Sequence, residues 1–156
     1  MIICLGFVSA VALAQKPNII LVMTDDQGWF DTGFNGNTEL KTPNIDQLAA
    51  EGIILDRFYS ASAVCSPTRA SLITGRNPLR IEIPTANSGH IKEEEITIAE
   101  ILKEHGYATG HFGKWHLGTL TKETLDANRG GKKENDIHFS IPSQHGYDEF
   151  FCSEAK

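Results

Sequence analysis

Asn18-Ile19-Ile20-Leu21-Val22-Met23-Thr24-Asp25-Asp26-Gln27-Gly28 is the stretch on which the fold turns. Pro17 sets its start, and an apolar run rich in β-branched side chains breaks abruptly into two carboxylates, a glutamine and a glycine. An unalternating run of this kind predicts a strand buried on both faces, as in a parallel sheet covered by helices. Open α/β sheets place ligands beyond the C-terminal ends of their strands, so Asp25 and Asp26 fall where a site is expected. A divalent cation that prefers oxygen would relieve their mutual repulsion. A solvated turn or helix cap uses the same residue types and stays open as the alternative.

The segments that follow alternate as a parallel α/β sheet requires. Thr42-Pro43 reads as N-cap and first helical residue, with Ile45, Leu48 and Ala49 turned inward and Gly52 as the stop. Ile53-Ile54-Leu55 with Phe58-Tyr59 predicts another strand. The small-residue loop from Ser60 to Val64 delivers the chain to Cys65. A helix is predicted from near Ser66 to Thr74, with Pro67 in its first turn and Gly75 as breaker. Arg76, just past that end, is expected to bind last-turn carbonyls. Residues 77–96 read as surface loop, with the acidic run Glu93-Glu94-Glu95 as a solvated face. Thr97 caps a further helix carrying Ile98, Ile101 and Leu102 on one face and ending at Gly106. Tyr107 to Phe112 predicts a third strand. Residues 119–143 turn polar and read as a long excursion rather than a second domain. His145 to Phe151 restores aromatic character and is expected to pack on the sheet's edge.

Two further clusters carry chemistry. Cys65-Ser66-Pro67-Thr68-Arg69 returns a guanidinium to the side of the helix that bears the thiol. It does so at a helix N-terminus, whose free N–H groups and partial positive charge suit an anion. A lone cysteine is more commonly a buried structural thiol, which is the plainer reading. Gly113-Lys114-Trp115-His116-Leu117-Gly118 presents an ammonium and an imidazole between glycines. Lysine offers a point charge to an anionic group and histidine a proton partner near neutral pH. A Trp-anchored turn with exposed Lys and His is the alternative.

Composition bounds these readings. With 156 residues, 40% hydrophobic and 22% charged, the chain is long enough for one domain with a real core. A net charge of −6 gives no support to binding nucleic acid or an anionic membrane by bulk electrostatics. Residues 1–14 carry no charge, are mostly apolar and end Ala12-Leu13-Ala14, which reads as a cleaved secretory signal too short to span a bilayer. That leaves Cys65 and Cys152, which in an oxidising compartment could pair.

Four segments resemble, in order, the N-terminal half of a type I sulfatase of the alkaline-phosphatase-like superfamily. They are Ile20 to Gly28, Thr42-Pro43-Asn44-Ile45-Asp46-Gln47-Leu48-Ala49, Cys65-Ser66-Pro67-Thr68-Arg69 with Leu72-Ile73-Thr74-Gly75-Arg76, and Gly106-Tyr107 through Gly113-Lys114-Trp115-His116-Leu117-Gly118. Gly146-Tyr147-Asp148-Glu149-Phe150-Phe151 resembles a further family segment, so the likeness covers residues 17–151. It implies an α/β fold with a mostly parallel sheet flanked by helices, incomplete in this chain, and residues 15–156 as the N-terminal part of the catalytic domain.

The resemblance also implies that a formylglycine-generating enzyme oxidises Cys65 to Cα-formylglycine. One hydroxyl of the hydrated aldehyde would attack the sulfur of a sulfate ester, and the second would be deprotonated so that sulfate leaves and the aldehyde returns. Asp25, Asp26 and the modified Cys65 would bind Ca²⁺ (or Mg²⁺). Arg69 would hold the hydrate and the metal-site geometry, and Lys114 and His116 the sulfate oxygens and the diol. The implied substrate is an aryl or carbohydrate sulfate ester. The implied location is periplasmic or secreted, or the lysosome or ER lumen of a eukaryote, with no nucleic-acid partner and no stable membrane insertion. The family's later Asp-Asn/Gln pair, a further His and a further Lys have no counterpart here, so a fragment or truncated product is expected. Two other readings remain: a phosphonate or phosphate monoester hydrolase of the same superfamily, and a non-catalytic protein with Cys65 in a disulfide to Cys152.

Overall fold

The computed structural model describes residues 16–86, 88–122 and 138–153. The stretch read as a secretory signal and most of the polar excursion lie outside them. Among the described residues the chain forms helices α1 (Pro43–Glu51), α2 (Cys65–Thr74) and α3 (Ile98–Glu104) and strands β1 (Gly110–Lys114) and β2 (Glu149–Ser153). The two strands pair in parallel, Gly110 beside Glu149 through Lys114 beside Ser153. The ladder is extended by the Trp115 N–H donating to the Ser153 carbonyl at 2.8 Å. The parallel α/β architecture expected from the sequence is therefore present.

The helices start and stop where their capping chemistry dictates. α3 opens on a capping box in which Glu100 N–H donates to Thr97 Oγ1 at 3.3 Å and Thr97 N–H to Glu100 Oε2 at 2.7 Å. α2 ends at Gly75, which takes a left-handed conformation (φ 67°) and donates its N–H to Ser71 O. It begins one residue earlier than predicted, with Cys65 itself as the first helical residue and no side-chain cap on Val64.

The core gathers Ala70 and Ile73 of α2, Ile81, Ile83 and Ile91, and Trp115 and Leu117 after β1. Three of these isoleucines come from the 77–96 stretch, which the composition assigned to the surface. Pro and Gly punctuate that stretch, but Ile81 and Ile83 alternate with Glu82 and turn one face inward, each at most 2% exposed. Glu95 likewise leaves the solvated acidic run: it is 7% exposed and accepts from Arg76 Nη1 at 2.5 Å. Arg76 thus pairs with a carboxylate rather than with helix carbonyls.

Two predicted strands do not form. Residues 18–23 take no regular structure and pair with nothing in the ladder, and Ile20 and Val22 are each 84% exposed. A buried strand needs a hydrogen-bonding neighbour and covering layers, and the described residues supply neither. A cavity of about 670 Å³ separates this segment from β1, lined by Ile20, Met23, Leu102, Tyr107, Phe112 and Tyr147. Ile53 to Tyr59 is likewise irregular and exposed. The inward face expected of α1 is also missing, since Ile45 and Leu48 stay exposed. α1 is held instead by polar bonds to a 3-10 turn at Gly33–Asn35, with Phe34 N–H donating to Asp46 Oδ1 and Gly33 N–H to Thr42 Oγ1, both at 2.8 Å. The third strand starts three positions late, at Gly110, because Thr109 is taken up by Asp148 through backbone and side-chain bonds. No helix among the described residues is long and apolar enough to cross a membrane.

Ile83, fully buried, should therefore matter more than the nearby exposed Leu79. In urea titration Ile83→Ala is expected to lower the unfolding free energy by about 2–5 kcal/mol. Leu79→Ala should stay within about 0.5 kcal/mol of wild type. Equal effects would displace the core from this loop.

Candidate active site

Three separate stretches of chain meet at Asp25. Arg69, one turn into α2, donates from Nη2 to Asp25 Oδ1 at 2.8 Å, and Lys114, the last residue of β1, donates from Nζ to Oδ2 at 2.8 Å. Arg69 Nη1 also donates to the Lys114 carbonyl at 2.9 Å, so the two cationic residues are fixed to each other as well as to the shared anion. The Lys114 and Arg69 bonds, in that order, hold the Asp25 carboxyl below its ordinary value of 3.8. Arg69 is the more enclosed of the cations, and its Nε is buried without a hydrogen-bond partner among the described residues.

Asp25, Asp26, Cys65, Thr68 and Arg69 line one cavity of about 710 Å³, together with the 58–64 loop. Cys65 stands half-buried at the start of α2, where first-turn N–H groups carry no side-chain cap and the helix dipole is positive. Cys65 and Cys152 are both free thiols, so the alternative disulfide is not formed. Burial pushes the Cys152 thiol up from its ordinary value.

Lys114 and His116 separate here. Lys114 reaches Asp25, whereas His116 is 4% exposed and lines neither cavity described above. Its backbone is left-handed (φ 54°), as is that of Asp26 (φ 54°). The His116 carbonyl accepts from Ser66 Oγ at 2.7 Å, a buried bond that ties the start of α2 to the segment after β1. Sequence reasoning passed over Ser66. It also passed over Thr68, which braces the 60–64 loop by donating to Ser62 O at 2.8 Å and accepting from Ser62 N–H at 3.2 Å. Hydroxyls in a helix's first turn were the available signal.

For a divalent cation the donors fit in kind but not in number. Asp25 and Asp26 are hard oxygen ligands on one cavity wall, but Ca²⁺ takes roughly 6–8 oxygens. Both Asp25 oxygens are already held by Arg69 and Lys114. No group of three His, Cys, Asp or Glu suited to a metal occurs among the described residues.

These features define a parallel α/β protein with a cationic corner where a helix begins and a strand ends. The sulfatase family model matches residues 17–155. Human arylsulfatase D is 43% identical over 150 residues, covering 90% of this chain and 23% of that protein. N-acetylgalactosamine-6-sulfatase of Mus musculus is 40% identical over 161 residues, covering 96% and 28%. A solved structure from work on glycosaminoglycan metabolism by Bacteroides thetaiotaomicron superposes with a TM-score of 0.75 at 35% identity, covering 92% of this chain and 29% of that one. The chain belongs to the sulfatase family. It spans about a quarter of the length of the curated relatives it matches.

The Asp25 contacts give a pH signature. A folded pKa below the unfolded one makes the unfolded chain bind more protons between the two values. The contribution is then fully present above the unfolded value and lost as pH falls through the folded one. Asp25 is 43% exposed, which keeps the effect small. Followed by circular dichroism below about pH 4, Asp25→Asn should lose less stability on acidification than wild type. Parallel losses would remove Asp25 from the acid response.

Proposed function

We propose that the protein hydrolyses sulfate esters of aryl or carbohydrate alcohols, using Cys65 after its oxidation to Cα-formylglycine. The observation that carries this reading is the single cavity wall shared by Cys65, Arg69, Asp25 and Asp26, to which Lys114 is joined through Asp25. Family membership and relatives named arylsulfatase D and N-acetylgalactosamine-6-sulfatase support the substrate class.

The formylglycine hydrate would supply an oxygen nucleophile that a thiol cannot replace. The chain's own residues would supply the setting. A sulfate group entering beside Cys65 meets the uncapped N–H groups of α2 and the guanidinium of Arg69, both of which favour an oxyanion. Lys114, which lines the neighbouring cavity, brings a second positive charge to Asp25, and such groups act most strongly on charge that develops during reaction. His116 is proposed to bond the diol or a sulfate oxygen, which requires its imidazole to turn out of the buried position it holds here. Asp25, Asp26 and the matured Cys65 are proposed as this chain's share of a Ca²⁺ or Mg²⁺ site. The half-buried, cavity-facing position of Cys65 suits access by a formylglycine-generating enzyme, and the uncharged apolar leader at 1–14 suits an exported protein.

The chain co-expressed with a formylglycine-generating enzyme should carry an aldehyde at position 65 by peptide mass spectrometry. It should cleave 4-nitrophenyl sulfate faster than 4-nitrophenyl phosphate. Cys65→Ala should abolish this, and Arg69→Ala or Lys114→Ala should each slow it by about 10²–10³-fold. Hydrolysis that survives Cys65→Ala, with wild-type Cys65 unmodified, would refute the assignment.

A further inference from the structure

The stretch that runs from Lys114, the last residue of β1, through His116 is gripped from the far side by a buried polar network that the proposed chemistry does not use. Its centre is Ser140, 2% exposed, and His145, fully buried. Trp115 Nε1 donates to the Ser140 carbonyl at 2.7 Å. Ser140 N–H donates to Thr119 O at 3.1 Å, Thr119 N–H to His138 O at 2.8 Å, and Ile91 N–H to Leu117 O at 2.8 Å. Ser140 Oγ lies 3.0 Å from the Ile91 carbonyl and 2.7 Å from His145 Nε2. The His145 carbonyl accepts from Thr97 Oγ1 at 2.8 Å, which fastens the far end to α3. The approach is close: a Cβ at Gly118 would stand 2.5 Å from Ser140 Cβ, and one at Gly146 would stand 2.6 Å from Glu100 N.

Proton accounting fixes the state of the ring. Ser140 has one hydroxyl proton, and the Ile91 carbonyl can only accept, so the proton goes there. The 2.7 Å contact then requires His145 Nε2 to be the donor and Ser140 Oγ the acceptor. The other nitrogen, Nδ1, is buried with no hydrogen-bond partner among the described residues. An unmet lone pair is tolerated there more readily than an unmet N–H would be. Protonating the ring would create such an N–H. Burial pushes the imidazole below its ordinary value of 6.5, and the facing Glu100 and Glu93 oppose this while His90 reinforces it.

We propose that His145, as the neutral Nε2–H tautomer donating to Ser140, is the positioning residue for the turn that bears Lys114 and His116. Its value for catalysis rests on the reading of those two residues as sulfate-binding groups. His145 touches no reacting atom. It fixes Ser140, Ser140 fixes Trp115 and Thr119, and Trp115 directly follows Lys114.

The test compares ¹⁵N-labelled wild type with H145Q, H145F and S140A. Glutamine keeps an amide donor near Nε2, whereas phenylalanine keeps the ring volume without it. Wild type should show the Nε2–H tautomer from pH 5 to 8 and slow exchange of the Trp115 indole N–H. H145Q should preserve that slow exchange. H145F and S140A should speed it by about tenfold or more and shift the Lys114 side-chain resonances, while far-UV circular dichroism stays at the wild-type level. An Nδ1–H tautomer, or H145F and S140A spectra matching wild type at Trp115 and Lys114, would overturn the proposal. Inorganic sulfate titration separates the two readings. Weaker sulfate binding in H145F than in H145Q supports both. If sulfate shifts nothing in wild type while the tautomer and exchange results hold, the positioning role stands and the sulfate reading falls.

Discussion

One carboxylate with two cations, Asp25 between Arg69 and Lys114, is the constraint on which the cavity wall depends. Exposed ion pairs contribute little to stability on their own. Here the cations are the enclosed partners, 11% and 17% exposed for Arg69 and Lys114, and Asp25 faces solvent at 43%. Without Asp25, two partly desolvated positive charges would lie close together with no counter-charge, which is the costly arrangement. Asp25 also does what the absent ladder would have done. Residues 18–23 form no strand hydrogen bonds, so the bonds at Asp25 fasten this stretch to α2 and β1.

Backbone strain falls close to the same place. Non-glycine residues in the left-handed region cost on the order of 1–2 kcal/mol each. Asp26 adjoins Asp25 and His116 follows Lys114 by two, and each holds a φ of 54°. Glu82, the other such residue among those described, sits in the core-forming loop at φ 58°. A strained aspartate beside the shared anion and a strained histidine after the strand-end lysine fit the tendency of sites to keep conformations that regular structure rejects. The strain at His116 is held in place by the Ser66 bond to its carbonyl.

Local signals in the sequence were legible, and signals that depend on a partner were not. Thr97, Pro43 and Gly75 each mark a helix end through chemistry confined to a few residues, and each is found where predicted. The strand at 18–23 failed because apolar β-branched character states only that a residue would fit a buried sheet. It does not supply the neighbour. The isoleucines at 81, 83 and 91 were hidden for the opposite reason, since the prolines and glycines around them signal a loop and a loop can still turn an apolar face inward. At the site, Asp25, Arg69 and Lys114 were named from strand-end and helix-start positions, and the structure joins them. Their mutual hydrogen bonds, spanning 44 and 89 positions, have no counterpart in any local pattern. Ser140 was unreadable because nothing distinguishes a serine that bonds across the fold from one in water.

The segment after β1 shows why a core would keep a histidine and a serine where aliphatic side chains would fill the volume. Apolar packing is tolerant: side chains of similar size exchange at little cost, and a turn held only by Trp115 in a greasy pocket could shift by fractions of an ångström. Hydrogen bonds with counted donors are not tolerant in that way, because a small slide leaves a buried group unmet. The 114–118 segment is gripped by such bonds on both sides, by Ser66 at the His116 carbonyl and by Ser140 at the Trp115 indole. One grip leads to the helix that starts with Cys65, and the other leads through His145 to the cap of α3. Lys114 is thereby referenced to both helices, and its distance from Cys65 is set by directional bonds rather than by the fill of the core.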